Sequence, residues 1–176
     1  DIYNKFFSKE ECLIYQSFPS IRIQYMNSIT IPPHSDSDSI GNHPLGEKNF
    51  IIPLTNMENT NSIYVESKPN KNDFKSIKLE YGEVFYFNGN TCKHYNESNV
   101  ENKLRISLDF RIMKLEDYLK YINKNKIVST QPRDLINKRD STKMIIGGYY
   151  QVNFKNDDLT NMLKWNFNKK FIMQMR

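Results

Sequence analysis

Leu104-Arg105-Ile106-Ser107-Leu108-Asp109-Phe110-Arg111-Ile112 alternates without a break, with apolar residues at even positions and Arg, Ser, Asp and Arg at odd ones. Successive side chains of a strand point to opposite faces, so this pattern is a β-strand with one apolar face and one polar row. A row that carries two guanidiniums, a hydroxyl and a carboxylate is chemically equipped on a single face.

The texture upstream is of the same kind. Ile21–Met26 alternates, and Ser28–Ile31 leads into Pro32-Pro33. Asn49-Phe50-Ile51-Ile52-Pro53-Leu54 is an apolar run closed by Thr55-Asn56; Ser62–Glu66, Phe74–Leu79 and Glu83–Asn88 follow, the last after a Tyr81-Gly82 turn. About eight short strands separated by turn signals predict a jelly roll or barrel. The ends differ. Ser8, with Glu11 at the capping-box position, predicts a short helix over Lys9–Gln16. Leu115, Tyr118, Leu119 and Ile122 fall on one helical face. Gly147-Gly148-Tyr149-Tyr150 reads as a turn or mobile loop, and Asp157-Asp158 opens a final helix through Trp165 and Phe167. The expected organisation is one domain over residues 1–176: a helical segment at 1–20, a β core at 21–112 and a mostly helical extension at 113–176.

With 176 residues, the chain is long enough for a core without staples. Its two cysteines, Cys12 and Cys92, give neither a disulfide framework nor a zinc knuckle, which fits a reducing compartment. No apolar run approaches the roughly 20 residues of a membrane span, and the start does not read as a signal peptide. The expectation is therefore a cytoplasmic chain, either processed or cut from something longer. The net charge of +5 comes from lysines scattered among asparagines, without the clustered basic groove that nucleic acid requires. A small polar molecule is the expected partner; the oligomeric state is not legible.

Chemistry concentrates at His34-Ser35-Asp36, at His94 and at Arg105. A histidine and a carboxylate two residues apart on extended backbone share a face, and a histidine from a distant strand end completes a three-ligand cap. Two histidines and one carboxylate, with open positions opposite, suit ferrous iron in non-heme oxygenases. Arg105 can grip a carboxylate cosubstrate through two parallel hydrogen bonds. A zinc hydrolase can use the same three ligands but leaves Arg105 without a task. A non-enzymatic alternative is a jelly-roll sugar-binding module. Asp36, Asp38, Gly41 and Glu47 also sit at positions of a calcium loop, yet Ile40 offers no oxygen there, and Pro32, Pro33 and Pro44 break the flanking helices.

His34-x-Asp36, His94 and Arg105-x-Ser107 together resemble the motif of the Fe(II)/2-oxoglutarate-dependent oxygenases. The eleven-residue step from His94 to Arg105 is similar to that of the phytanoyl-CoA hydroxylase-like branch. Longer stretches resemble StrG-like oxygenases of streptomycin biosynthesis: His34–Asp38, Gly46–Phe50, Pro53-Leu54-Thr55, Asn61-Ser62, Glu66-Ser67 and Ser107–Arg111. The resemblance covers roughly Ile21 to Ile112. It implies a double-stranded β-helix of cupin-like type, with Fe(II) on His34, Asp36 and His94. It implies 2-oxoglutarate held by Arg105 and Ser107, O2 as oxidant, and hydroxylation of a C–H bond with release of succinate and CO2. Related halogenases have a small residue where Asp36 stands, so Asp36 favours hydroxylation over halogenation. No catalytic residue beyond the metal ligands is required.

Further polar positions have open roles. Arg22 and Gln24 share one face of their strand and either line the cavity or lie on the outside. Asn49 and Glu66 lie in the resembling stretches, where Asn49 can orient the cosubstrate and Glu66 the substrate. Asp109 and Arg111 continue the polar row as structural ion pairs. Asp38 and His43 are alternative ligands with poorer spacing, and Tyr149 and Tyr150 read as packing residues or as a lid.

Overall fold

The computed structural model describes residues 12–38, 43–125, 144 and 149–154. The chain divides into two compact units, Phe18–Arg111 and, from the two ends, Asp1–Ser17 with Ile112–Arg176. Among the described residues the structure is mostly β, with one α-helix and one 3-10 turn.

The larger unit contains β2 (Ser20–Gln24), β3 (Lys48–Pro53), β4 (Tyr64–Val65), β5 (Lys75–Ser76), β6 (Phe85–Phe87), β7 (His94–Tyr95) and the first part of β8 (Arg105–Lys114). β2 runs antiparallel to β8, with Arg22 opposite Ser107 and Gln24 opposite Arg105. β3 lies between β8 and β6, while β4 pairs with both β5 and β7 in a second sheet. Ile51, Met57, Ile63, Val65, Leu79, Phe87 and Cys92, drawn from both sheets and their connections, form the apolar core. The Tyr81-Gly82 turn is present, and Gly82 supplies its φ of +82°. The strand expected over Ser28–Ile31 is not formed; that segment is irregular up to His34.

Which face of each strand turns inward is the main departure from a simple amphipathic sheet. At the start of β8 the polar residues are the buried ones: Arg105 is 0% and Ser107 1% exposed, whereas Leu104, just before the strand, is 38% exposed and Ile106 and Leu108 are only half-buried. β2 repeats this, with Gln24 fully buried and Ile21 67% exposed. The polar rows of both strands face the interior of this unit, where hydrogen bonds and ion pairs offset the burial of Arg22, Ser107, Asp109 and Arg111.

In the smaller unit a strand replaces the helix expected over Lys9–Gln16: β1 (Cys12–Gln16) pairs antiparallel with the end of β8 on one side and with β9 (Tyr150–Phe154) on the other. Backbone pairing along both edges and burial of Cys12, Leu13, Ile14 and Gln16 outweigh the local capping signal. The helical reading of the N-terminal segment is therefore corrected over 12–16; residues 1–11 lie outside the described ones. The expected C-terminal helix is α1 (Leu115–Lys124), which buries Tyr118 and Tyr121. At Tyr149-Tyr150 the turn reading holds for Tyr149 only: Tyr150 opens β9 and is fully buried, and it takes the packing role rather than that of a lid, its ring edge-on to Tyr118 of α1 within the cluster of Cys12, Ile14 and Met113. The final helix expected after Asp157 lies outside the described residues. No described helix is long and apolar enough to cross a membrane.

Candidate metal centre

His34 and His94 meet because their backbones pair. The two residues form an isolated antiparallel bridge, with the His34 N–H donating to the His94 carbonyl at 3.2 Å and the His94 N–H returning a bond at 2.9 Å. Directly opposed residues in such a bridge send their side chains to the same face, and the ring centroids lie 4.3 Å apart. Asp36, two residues beyond His34, is anchored by its own N–H to the Gly89 carbonyl at 2.8 Å. Its Oδ1 stands 3.3 Å from His34 Nε2 and 3.7 Å from His94 Nε2. One potential ligand atom from each of the three lies within 4.8 Å of the others.

Each imidazole is oriented by its second nitrogen. His34 Nδ1 lies 2.7 Å from the Pro32 carbonyl and His94 Nδ1 3.2 Å from the Cys92 carbonyl. A carbonyl only accepts, so each Nδ1 carries the proton and each neutral ring offers the Nε2 lone pair towards Asp36. The far oxygen of Asp36 is occupied: Oδ2 accepts from Asn49 Nδ2 at 2.6 Å and from Arg111 Nε at 3.0 Å and Nη2 at 2.9 Å. Burial pushes the Asp36 carboxyl up, but His34 and Arg111 outweigh it and hold it well below the usual carboxylate range. Hydrogen bonding to Asp36 raises His34, whereas burial pushes His94 down to about 4. His94 is thus neutral near pH 7, and His34 competes for a proton that a cation between the three groups would replace. Two nitrogens and one carboxylate oxygen are a donor set that fits a divalent transition metal.

Of the polar row of β8, Asp109 and Arg111 line the cavity that His34 and His94 also line, whereas Arg105 and Ser107 are not among its lining residues. Arg105 is completely buried, and its Nη2 donates to Thr30 Oγ1 at 3.1 Å. Its Nε and Nη1 find no hydrogen-bond partner, and among the described residues Arg105 makes no ion pair. Burial lowers this guanidinium to about 10, still charged at neutral pH. Two orphaned, buried donors on a cation are costly unless an anion meets them. Ser107 is buried beside it, but its hydroxyl donates to Asp109 Oδ1 at 2.8 Å. Asp109 in turn pairs with Arg22 Nε at 3.2 Å, and burial pushes its carboxyl up.

His34, His94, Asn49, Arg22, Asp109 and Arg111, with Phe50 and Phe110, line one cavity. Of the open alternatives for Arg22 and Gln24, both turn inward, but only Arg22 lines the cavity. Gln24 Nε2 donates to the carbonyls of Ser28 and Glu97, at 3.0 and 2.8 Å, and so holds a loop. Glu66 is placed elsewhere: its carboxylate accepts the backbone N–H groups of Lys93 at 2.6 Å and Asn72 at 3.1 Å. Asn49 reaches the carboxylate of Asp36 rather than the neighbourhood of Arg105. His43 pairs with Glu47 at 2.9 Å, and neither it nor Asp38 belongs to the three-ligand group. The calcium-loop positions 39–42 lie outside the described residues. Two contributors escaped the sequence reading, Arg111 as the partner of Asp36 and Glu47 behind it, 3.7 Å from Arg111 Nε. Period-two spacing already placed Arg111 on the same face as Arg105, which was the available signal. Nothing local announces Glu47.

No model of a known protein family matches the chain. Over 109 residues, 61% of its length, the chain is 30% identical to the streptomycin biosynthesis protein StrG of Streptomyces griseus. It spans about half the length, 50%, of that relative. Among solved structures it is similar to the non-heme monooxygenase ThoJ in a nickel complex (TM-score 0.46, 12% identity, 59% of this chain and 45% of that one). It is also similar to SnoN, a non-heme α-ketoglutarate-dependent epimerase of nogalamycin biosynthesis (TM-score 0.47, 13% identity, 58% and 47%).

Proposed function

We propose that the chain carries the active centre of an Fe(II)- and 2-oxoglutarate-dependent oxygenase, built on a double-stranded β-helix, that hydroxylates a C–H bond of a small polar substrate. The observation that carries this reading is the convergence of His34, Asp36 and His94, one potential ligand atom from each within 4.8 Å of the others, with both histidines on the wall of a cavity. Ferrous iron with 2-oxoglutarate and O2 supplies the oxidising chemistry when bound. The side chains do the rest. His34, Asp36 and His94 would hold the metal. Arg105, with its unmet Nε and Nη1, receives the distal carboxylate of the cosubstrate. Arg22 and Asp109 form the polar wall against which a sugar, aminocyclitol or amino acid is oriented. The 30% identity to a streptomycin biosynthesis protein over 109 residues supports a small polar substrate. A zinc hydrolase accounts for the three ligands but gives Arg105 no anion to bind.

The test is anaerobic addition of Fe(II) and then 2-oxoglutarate. A weak visible charge-transfer band is expected with the wild type and not with His34→Ala. A wild type that binds Fe(II) yet gives no band with 2-oxoglutarate refutes the cosubstrate assignment.

A further inference from the structure

A carboxylate can meet a metal through one oxygen or both, and the choice sets how many coordination positions remain. In this chain the surroundings of Asp36 make that choice. Oδ2 accepts Asn49 Nδ2 at 2.6 Å and both Nε and Nη2 of Arg111 at 3.0 and 2.9 Å, while Oδ1 alone faces the two imidazoles. Arg111 is itself braced, since its Nε lies 3.7 Å from the Oε2 of the fully buried Glu47, which His43 Nδ1 also approaches at 2.9 Å. Gly89 completes the arrangement. Its carbonyl takes the Asp36 N–H, and a Cβ there would come within 2.6 Å of Asn49 Nδ2 and 2.7 Å of Asn49 Cγ. Its φ is not left-handed, so the requirement for glycine is one of space.

Building on the metal centre proposed above, we infer that Arg111 and Asn49 are positioning residues that fix Asp36 as a single-oxygen ligand, and that Gly89 is the small residue that lets Asn49 reach it. With two imidazoles and one oxygen on the metal, three positions of an octahedral ion stay free. A carboxylate chelating through both oxygens would leave two. The clamp therefore sets how many positions on the metal are left for cosubstrate and oxidant.

The experiment uses Co(II), whose visible bands report coordination number, titrated into metal-free wild type, Arg111→Lys, Asn49→Ala and Gly89→Ala. Wild type is expected to bind one Co(II) with the weak bands of a six-coordinate ion. Loss of an outer partner typically weakens metal binding about 10- to 100-fold, so Asn49→Ala and Arg111→Lys are expected to bind at least ~10-fold more weakly. Their bands should change in position and intensity as Oδ2 turns to the ion. Gly89→Ala should reproduce the Asn49→Ala spectrum while deleting no polar group, which keeps the test valid should Arg111→Lys not fold. Folded Asn49→Ala and Gly89→Ala proteins with wild-type affinity and spectrum would overturn the clamp and leave the metal centre standing. Failure of the wild type to bind Co(II) would overturn the metal centre itself.

Discussion

His94 shows how burial alone prepares a ligand. Its folded value of about 4, against an ordinary value near 6.5, means the folded protein refuses a proton that the unfolded chain accepts. Its stabilising contribution is complete above pH 6.5 and declines as pH falls towards 4, by roughly 3 kcal/mol in all. His34, shifted up by Asp36, acts in a different window. Its contribution is complete below 6.5 and is lost as pH rises through its raised value. Urea unfolding of the metal-free protein should lose stability between pH 6.5 and 4, and His94→Leu should not show that loss; equal slopes for the two proteins would contradict the assignment. Arg105 gives a second prediction at this scale. Removing a charge-assisted, two-pronged contact should raise the 2-oxoglutarate concentration needed for half-maximal succinate formation in Arg105→Ala by about 10- to 100-fold. An unchanged requirement removes Arg105 from that role. The ligands themselves were readable because spacing by two on extended backbone puts His34 and Asp36 on one face. Arg111 was legible as an ion-pairing residue, but its partner Asp36 and the part of Glu47 behind it were not, because an ion-pair partner is chosen in three dimensions among several candidates.

At the scale of the strand, alternation reveals that two faces differ, while tertiary context decides which one is inside. β2 and β8 turn their polar rows inward, so mutational sensitivity should invert the usual order. Gln24→Ala removes a fully buried side chain and its two hydrogen bonds to the Ser28 and Glu97 carbonyls and should cost about 1–3 kcal/mol, whereas Ile21→Ala, 67% exposed, should stay within about 0.5 kcal/mol. Chemical denaturation of the two variants decides it, and the opposite ranking would mean that the strand faces are reversed. In β1 the competition ran the other way. A capping pattern predicted a helix, but Ile14 is completely buried in a strand paired on both edges. Strands β2 and β8 and helix α1 were legible because each carries its own period, β3 because it is an apolar run, and β6 because the Tyr81-Gly82 turn precedes it. β9 was hidden behind a glycine pair that reads as a turn, and His94 belongs to a two-residue strand too short to show any period at all.

For the molecule as a whole, the groups that would hold the metal fall within one compact unit, Phe18–Arg111. Binding to a folded site that the unfolded chain lacks adds stability by mass action, about 2.7 kcal/mol at a hundredfold excess over Kd. In a chain of this size that is a rise of roughly 5–10 °C in the thermal midpoint. Fe(II) under nitrogen, or Co(II) in air, should produce that rise, EDTA should reverse it, and His34→Ala should show none; a shift retained by His34→Ala would place the ion elsewhere. The most direct test of the account is an anomalous-difference map from crystals grown with Co(II) or Mn(II). One peak is expected about 2.1 Å from His34 Nε2, His94 Nε2 and Asp36 Oδ1, with Asp36 Oδ2 still on Arg111. A peak away from these atoms, or imidazoles that diverge with no shared ion, would contradict it.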